Sequence, residues 1–266
     1  MLRKLLVIAS CLTLITFGVA TASEEEDLAK ATQNPVADLI SLPFQNNINF
    51  DVGPREKTQN VLNIQPVWPV NLNEDWNLIT RTIVPVISQP AMAPGDDREF
   101  GLGDTTFTAF LSPKKPGKWI WGVGPVVLLP TATDDALGSD KWGIGPSMVA
   151  LTMPGKWVVG SLFSNVWSFT GSGDQDVNLF TWQVICNYNL PNGWYLTSTP
   201  IITSNWEADS SDKWTVPLGG GLGKIFRIGK LPINAQAQAF YNVEKPDYGP
   251  DWSLRLQVQL LFPKKK

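Results

Sequence analysis

The sequence predicts an all-β protein, a transmembrane antiparallel β-barrel of about 12 strands with short periplasmic turns and longer acidic extracellular loops. Long segments of the chain alternate between apolar and polar residues, as strands do when one face meets lipid and the other meets water. The connections between these segments alternate between short and long. Tryptophans stand at both ends of the segments, where the two membrane–water interfaces of a barrel lie.

The chain begins with the features of a secretory signal peptide, which we assign to residues 1–22. Arg3 and Lys4 supply the positive charge that precedes an apolar run over residues 5–19, and small residues up to Ala22 supply a cleavage site. The apolar run is too short to span a membrane as a helix. Cleavage after Ala22 and export from the cytoplasm are therefore expected.

Residues 23–38 form an acidic segment that is predicted to plug the barrel or to lie at its periplasmic mouth. The stretch EEEDLAKATQNPVADLI (24–40), which covers most of this segment, has helical character, and Asn34 is the expected N-cap ahead of Pro35. Residues 39–266 are assigned to the barrel itself.

Turn signals rich in glycine, proline and aspartate divide the barrel region into segments of about 11 to 14 residues. Segments of this length suit strands that cross a bilayer at a tilt. The predicted strands are 39–52, 59–70, 76–88, 101–112, 119–131, 141–152, 156–169, 177–190, 193–206, 214–226, 231–244 and 252–262.

Two kinds of connection alternate along the chain. One kind is short and rich in proline, glycine and lysine, as in SPKKPGK (112–118) and LPNG (190–193). The other kind is longer and acidic, as in TATDDALGSDK (131–141) and TGSGDQD (170–176). Outer-membrane barrels have short turns on the periplasmic side and longer loops outside. The acidic loops are therefore expected to face lipopolysaccharide and the divalent cations that it holds.

Tryptophans mark both ends of the predicted strands, because some of them follow short turns and others follow acidic loops. This arrangement is typical of aromatic girdles at two membrane interfaces, and a soluble sandwich has no reason to adopt it. The recurrence of tryptophan also resembles propeller blades, but each repeat here holds two long strands where a blade needs four short ones. The predicted girdle consists of Trp76, Trp119, Trp142, Trp157, Trp194, Trp214 and Trp252.

The last strand indicates which face meets lipid. In WSLRLQVQLLF, apolar residues such as Leu256 and Val258 alternate with Arg255 and other polar residues. An arginine on the lipid face near the midplane costs about 2–4 kcal/mol, so Arg255 is predicted to face a wet lumen. Amide side chains on other strands also suit such a lumen better than a dry core. The candidates for lining the lumen are Gln65, Arg81, Gln183, Asn187, Gln236, Gln238, Arg255, Gln257 and Gln259.

Two segments depart from clean alternation. ITRTIVPVIS (79–88) and the segment 119–131 are apolar on both faces, and we expect them to line an apolar part of the lumen or to contact a neighbouring subunit. Prolines within the strands cannot donate to the ladder, so each implies a bulge or an interrupted bond. These prolines are Pro66, Pro85, Pro125, Pro146, Pro200 and Pro217.

The composition excludes several kinds of function. The chain has no histidine, which rules out Ser-His-Asp hydrolysis, histidine-based acid–base catalysis and the usual histidine zinc sites. The net charge of −3 argues against binding to nucleic acid. PLGGGLGK (217–224) lacks the first glycine and the Ser or Thr that a phosphate loop requires. We therefore predict no catalytic residue, no metal site, no cofactor and no enzymatic activity.

Several long motifs resemble a known family. They are NPVADLISLPFQNN (34–47), TQNVLNIQPVWP (58–69), WIWGVGPVVLLPTATD (119–134), NYNLPNGWYLTSTPIITSNWEA (187–208) and WTVPLGGGLGKIF (214–226). They are similar to a bacterial family of outer-membrane β-barrel proteins labelled "transporter" or "MetA-pathway of phenol degradation", some of which are misnamed neuromedin U. The resemblance implies a membrane β-barrel and hints at small hydrophobic molecules, but it brings no site residues with it.

These observations predict an outer-membrane channel or transporter for the passive passage of small molecules, hydrophobic or aromatic in kind. Arg81 and Arg255, with few acids opposite them, indicate a weak preference for anions. The alternative is a non-conducting barrel that binds lipopolysaccharide, cations or a partner, and a soluble periplasmic β-protein is favoured least. The expected partners are outer-membrane lipid, lipopolysaccharide, small solutes and the barrel-assembly machinery. That machinery usually recognises a C-terminal aromatic residue, whereas Phe262 is followed here by Pro-Lys-Lys-Lys.

Overall fold

The structure, a computed structural model, describes residues 22–93 and 95–262, the first four of them by their backbone. Apart from Ala22, the predicted signal peptide lies outside the described residues, as do the lysines at the C-terminus. The described chain contains one α-helix, one short 3-10 helix and a single antiparallel sheet.

The elements follow one another in the order that the turn signals predict. The helix α1 spans Ala22–Thr32, and the 3-10 helix spans Asp135–Leu137. The strands are β1 (Ile40–Val52), β2 (Lys57–Ile64), β3 (Val67–Asn71), β4 (Trp76–Gln89), β5 (Glu99–Leu102), β6 (Thr105–Pro113), β7 (Ile120–Leu129), β8 (Lys141–Thr152), β9 (Trp157–Gly171), β10 (Asn178–Asn189), β11 (Trp194–Ser198), β12 (Ile201–Asn205), β13 (Trp214–Ile228), β14 (Leu231–Glu244) and β15 (Trp252–Phe262).

The sheet closes on itself into a 12-strand antiparallel barrel, as predicted. Each of the pairs β2 and β3, β5 and β6, and β11 and β12 forms one interrupted strand of the wall. Closure joins β1 to β15, in a register that runs from Ile40 opposite Phe262 to Phe50 opposite Trp252. A closed barrel leaves no sheet edge, so its backbone donors and acceptors are satisfied within the wall rather than exposed to lipid.

The interruptions fall where the backbone cannot continue the ladder. Pro66 separates β2 from β3 and Pro200 separates β11 from β12, and each proline still accepts a bond through its carbonyl, from Thr82 and from Val184, both at 3.1 Å. This confirms that in-strand prolines interrupt the ladder. The break between β5 and β6 at Gly103 has no proline within it.

Two other prolines are accommodated by facing each other. Pro125 on β7 lies opposite Pro146 on β8, so that two residues without a backbone N–H share one position in the ladder. Both side chains are exposed on the outer face. The preceding residues, Gly124 and Gly145, pass so close to the carbonyls of neighbouring strands that a Cβ atom would collide with them.

The outer face of the barrel carries the apolar rows and the aromatic girdle. Five tryptophans at the strand ends are 40–56% exposed, and Trp76 and Trp214 are half-buried against other rings, Trp121 and Trp206 respectively. On β15, Leu256 and Val258 are exposed while Arg255 and Gln259 are buried. Exposed apolar and aromatic side chains thus lie outside and polar ones inside, as in a barrel that spans a membrane.

The N-terminal helix differs from the prediction in its position. It ends at Thr32, so the prediction that Asn34 caps a helix start is wrong. The side chain of Asn34 instead accepts a bond from the backbone N–H of Val36 at 3.0 Å and forms a turn. No helix among the described residues is long and apolar enough to cross a membrane.

Candidate functional site in the barrel lumen

The polar side chains selected from the sequence lie on the inner face of the barrel. Seven of them line one cavity of about 130 Å³ between the wall and the N-terminal segment. These are Gln65, Arg81, Gln183, Asn187, Gln236, Gln257 and Gln259. Gln238 and Arg255 are buried on the same inner face, on β14 and β15. Alternation along each strand places these residues inside, because their neighbours face lipid.

Another part of the inner face is apolar, as the sequence predicted for part of the wall. Ile79 on β4 and Val126 on β7 are buried inside the barrel, so the segments that are apolar on both faces line an apolar part of the lumen. Sequence reasoning did not select Phe110, Val149 and Leu151, which belong to the same wall. Their outward-facing neighbours, such as Leu111 and Met148, are also apolar, so the sequence pattern did not separate inner from outer residues there. The lumen is therefore amphipathic: the buried cluster from Ile79 on β4 to Ile185 on β10 forms an apolar wall, and polar side chains such as Arg81 and Gln183 line the cavity beside it.

The N-terminal segment lies inside the turn-side end of this lumen. Val36 packs with Ile79 and Phe110 on the apolar wall, while Ala29 and Leu39 pack against Ile225 and Leu261 on the other side. The amide of Gln33 also exchanges hydrogen bonds with that of Asn189, at 3.0 and 3.2 Å. These contacts attach the segment to both walls of the barrel.

Arg255 is held by its neighbours rather than free in the lumen. Its Nε donates to Asn47 at 3.0 Å, its Nη1 donates to the carbonyl of Thr199 at 2.8 Å, and its guanidinium lies 4.8 Å from the ring centre of Phe240. Thr199 precedes the proline that interrupts the wall, and Gln238 accepts a bond from its backbone N–H at 3.0 Å. Arg255 and Gln238 therefore stabilise the interruption between β11 and β12.

We predict that Arg255→Met lowers the free energy of unfolding by about 2 kcal/mol, because it leaves the Thr199 carbonyl and the Asn47 amide without a charged donor. Urea unfolding in phospholipid vesicles, followed by tryptophan fluorescence, measures the change. Gln257→Met is the matched control, since Gln257 lies on the same inner face and its side chain makes no hydrogen bond among the described residues. Equal losses in the two variants would contradict a bracing role for Arg255.

Arg81 is placed differently, since it keeps donors that the protein does not use. Its Nη2 donates to Gln65 at 2.6 Å. The side chain of Arg81 makes no other hydrogen bond or ion pair among the described residues. Of the described residues that line the 130 Å³ cavity, Arg81 alone carries a charge. The cavity is thus a polar chamber with one uncompensated guanidinium and with Val67 and Ile185 as apolar contacts.

The loop-side end of the barrel holds a second, wider cavity of about 870 Å³, here called the vestibule. Its lining includes five carboxylates, Asp104, Asp135, Asp140, Asp174 and Asp176. Asp104 accepts bonds from the backbone of the following loop, from residues 132 and 139 at 3.2 and 2.7 Å, and so orders that loop. Among the described residues, however, no three His, Cys, Asp or Glu side chains are grouped so that they could hold a metal ion.

Comparison with solved structures places the fold among outer-membrane barrels. The chain superposes on an outer-membrane channel from Pseudomonas putida F1 with a TM-score of 0.64 and 20% identity, covering 86% of this chain and 96% of that one. Weaker likenesses are to outer-membrane phospholipase A from Escherichia coli (TM-score 0.47, 15% identity, covering 90% and 98%) and to the CymD monoaromatic hydrocarbon channel (0.46, 10%, covering 92% and 94%). No curated protein matches the chain.

Sequence comparison identifies the family. Residues 55–199, more than half of the chain, match the family described as "Putative MetA-pathway of phenol degradation". This matched region runs from the first loop to the interruption between β11 and β12, and it includes Arg81 and the apolar wall. The chain therefore belongs to the family that carries this description.

Proposed function

We propose that the protein is an outer-membrane channel for the passive passage of small amphipathic molecules. The amphipathic lumen is the observation that supports this most directly. A solute with an apolar body and a polar group finds both kinds of contact in the 130 Å³ cavity, where Val67 and Ile185 are apolar members of the lining and Gln183 is a polar member. The fold shared with an outer-membrane channel and the phenol-degradation family agree with passage of such molecules.

We infer that the protein is not an enzyme. One structural neighbour with low similarity is a phospholipase. The chain contains no histidine, so a serine in the wall cannot be activated by that residue. The buried hydroxyl of Tyr195 donates to the side-chain oxygen of Asn234 at 2.5 Å, and an amide cannot act as the base that activates a nucleophile.

We also propose that residues 23–38 act as a plug that narrows the periplasmic end of the channel. The support is that Val36 packs on one side of the lumen and Ala29 on the other. The cavity left beside this segment is about 130 Å³, compared with about 870 Å³ in the vestibule. A barrel of 12 strands lies between the filled barrels of eight strands and the open porins, so a narrow lumen is expected.

Planar-bilayer recording tests the proposed channel. Refolded protein whose gel mobility shifts on boiling is expected to give discrete current steps of small conductance, since the plug leaves a narrow lumen. A folded barrel that gives no steps, either with the plug or after its removal, would refute the proposed function. That result would favour a structural barrel whose acidic loops bind lipopolysaccharide or cations.

A further inference from the structure

The charges of the channel are separated along its axis. The vestibule at the loop end is lined by five aspartates and by no lysine or arginine among the described residues. One of them, Asp176, is partly neutralised by Lys141 at 3.3 Å. The chamber at the turn end has Arg81 as the charged member of its described lining. An entering solute therefore meets negative charge first and positive charge afterwards.

The vestibule aspartates and Arg81 repel small ions to different extents. The vestibule is wide and its carboxylates are largely exposed, so salt screens their repulsion of anions. Arg81 stands in a narrow chamber, where water and salt screen its repulsion of cations much less. Small ions of either sign therefore meet a barrier, while a neutral solute meets none of electrostatic origin.

Arg81 can also form a hydrogen bond with a neutral solute. Its unused N–H groups can donate to an oxygen, and a bond to a charged donor is stronger than one to an amide. Val67, Ile185 and Leu39 supply apolar contacts in the same chamber. The volume of about 130 Å³ is close to that of an engineered cavity of about 150 Å³ that binds benzene.

From this arrangement we infer that Arg81 is the selectivity residue of the channel, and that with the acidic vestibule it favours neutral, single-ring solutes that carry an oxygen acceptor over small ions of either sign. The inference rests on the proposed channel function. It replaces the expectation of a general preference for anions, because Arg255 is occupied by Asn47 and Thr199 and the anions must first pass the vestibule.

The first test measures binding and needs no open pore. Benzyl alcohol and toluene have nearly the same size, but only benzyl alcohol carries an oxygen acceptor. The intact protein in detergent is expected to bind benzyl alcohol about tenfold more tightly than toluene. In the variant Arg81→Gln, this preference for benzyl alcohol is expected to be lost. Comparing the variants cancels the partition of both solutes into micelles. Lys224→Gln is the matched control, because it removes one positive charge from the outer face, where Lys224 lies 4.8 Å from the ring centre of Trp194.

The second test measures ion selectivity across a potassium chloride gradient at low ionic strength. Arg81→Gln is expected to raise the conductance and to shift the reversal potential toward that of potassium, because the vestibule carboxylates then dominate. Lys224→Gln is expected to leave both unchanged. If Arg81→Gln keeps both the solute preference and the reversal potential of the unmodified protein, the inference is overturned. Preferential binding without any current would instead refute the channel and leave the assignment of Arg81 as the binding group intact.

Discussion

Deletion of residues 23–38 is expected to raise the single-channel conductance several-fold. The deleted segment includes Ala29, Gln33 and Val36, which contact opposite sides of the lumen wall. Conductance rises with the cross-section of the narrowest part of a channel, and the smaller of the two cavities, about 130 Å³, lies beside this segment. Planar-bilayer recording of the refolded deletion variant measures the change, and heat modifiability shows that the barrel has formed.

A variant that keeps the segment separates plugging from folding. Gln33→Cys and Asn189→Cys, in a Cys186→Ser background, place thiols where two amides exchange hydrogen bonds. A short thiol–thiol crosslinker is expected to hold the conductance at its low value and to remove brief openings to larger steps. If the deletion leaves the conductance unchanged in a folded barrel, the segment is not a plug.

Val258→Arg is expected to destabilise the folded barrel by about 2–4 kcal/mol, because it places a charge on the lipid face near the membrane midplane. Val258 lies near the middle of β15, is 46% exposed, and has Phe44 and Ala235 as its apolar partners in the neighbouring strands. Urea unfolding in phospholipid vesicles measures this loss of stability. A slower shift in gel mobility during refolding is expected to accompany it.

The adjacent residue, Gln257, provides the control that tests which face of β15 meets lipid. Gln257→Arg introduces the same side chain one position away, where it points into the cavity of the lumen. Its expected cost is well below that of Val258→Arg, since the new charge then lies among the polar side chains of the chamber and not in lipid. Equal costs for Val258→Arg and Gln257→Arg would mean that β15 does not separate lipid from a wet lumen.

Much of the wall could be predicted because its determinants are local. Strands β8, β14 and β15 begin and end at the predicted residues, and turn signals bound each of them. Alternation with a period of two decides which residues share a face, and the cost of an arginine in lipid decides which face is inside. The positions of Gln65, Gln236 and Gln259 on the inner face follow from these two rules.

Other features of the wall were only partly predictable. Proline at 66 and 200 indicated the interruptions there, but nothing at Gly103 marked the break between β5 and β6. The helical character of the N-terminal stretch was visible, yet its end at Thr32 was not. The side chain of Asn34 can cap the start of a helix or close a turn, but it cannot do both. The contacts of this segment with the barrel favour the turn.

The sequence by itself determined that the chain is a barrel with a polar interior, because these properties depend on the alternation of residues within single strands. The tertiary structure decided which side chains meet across the lumen, since contacts between distant strands depend on closure and register rather than on neighbours in the chain. Arg81 and Arg255 show the difference. Both are inward-facing arginines in the sequence pattern, but the fold surrounds Arg255 with Asn47 and Thr199 and leaves donors of Arg81 open to the chamber.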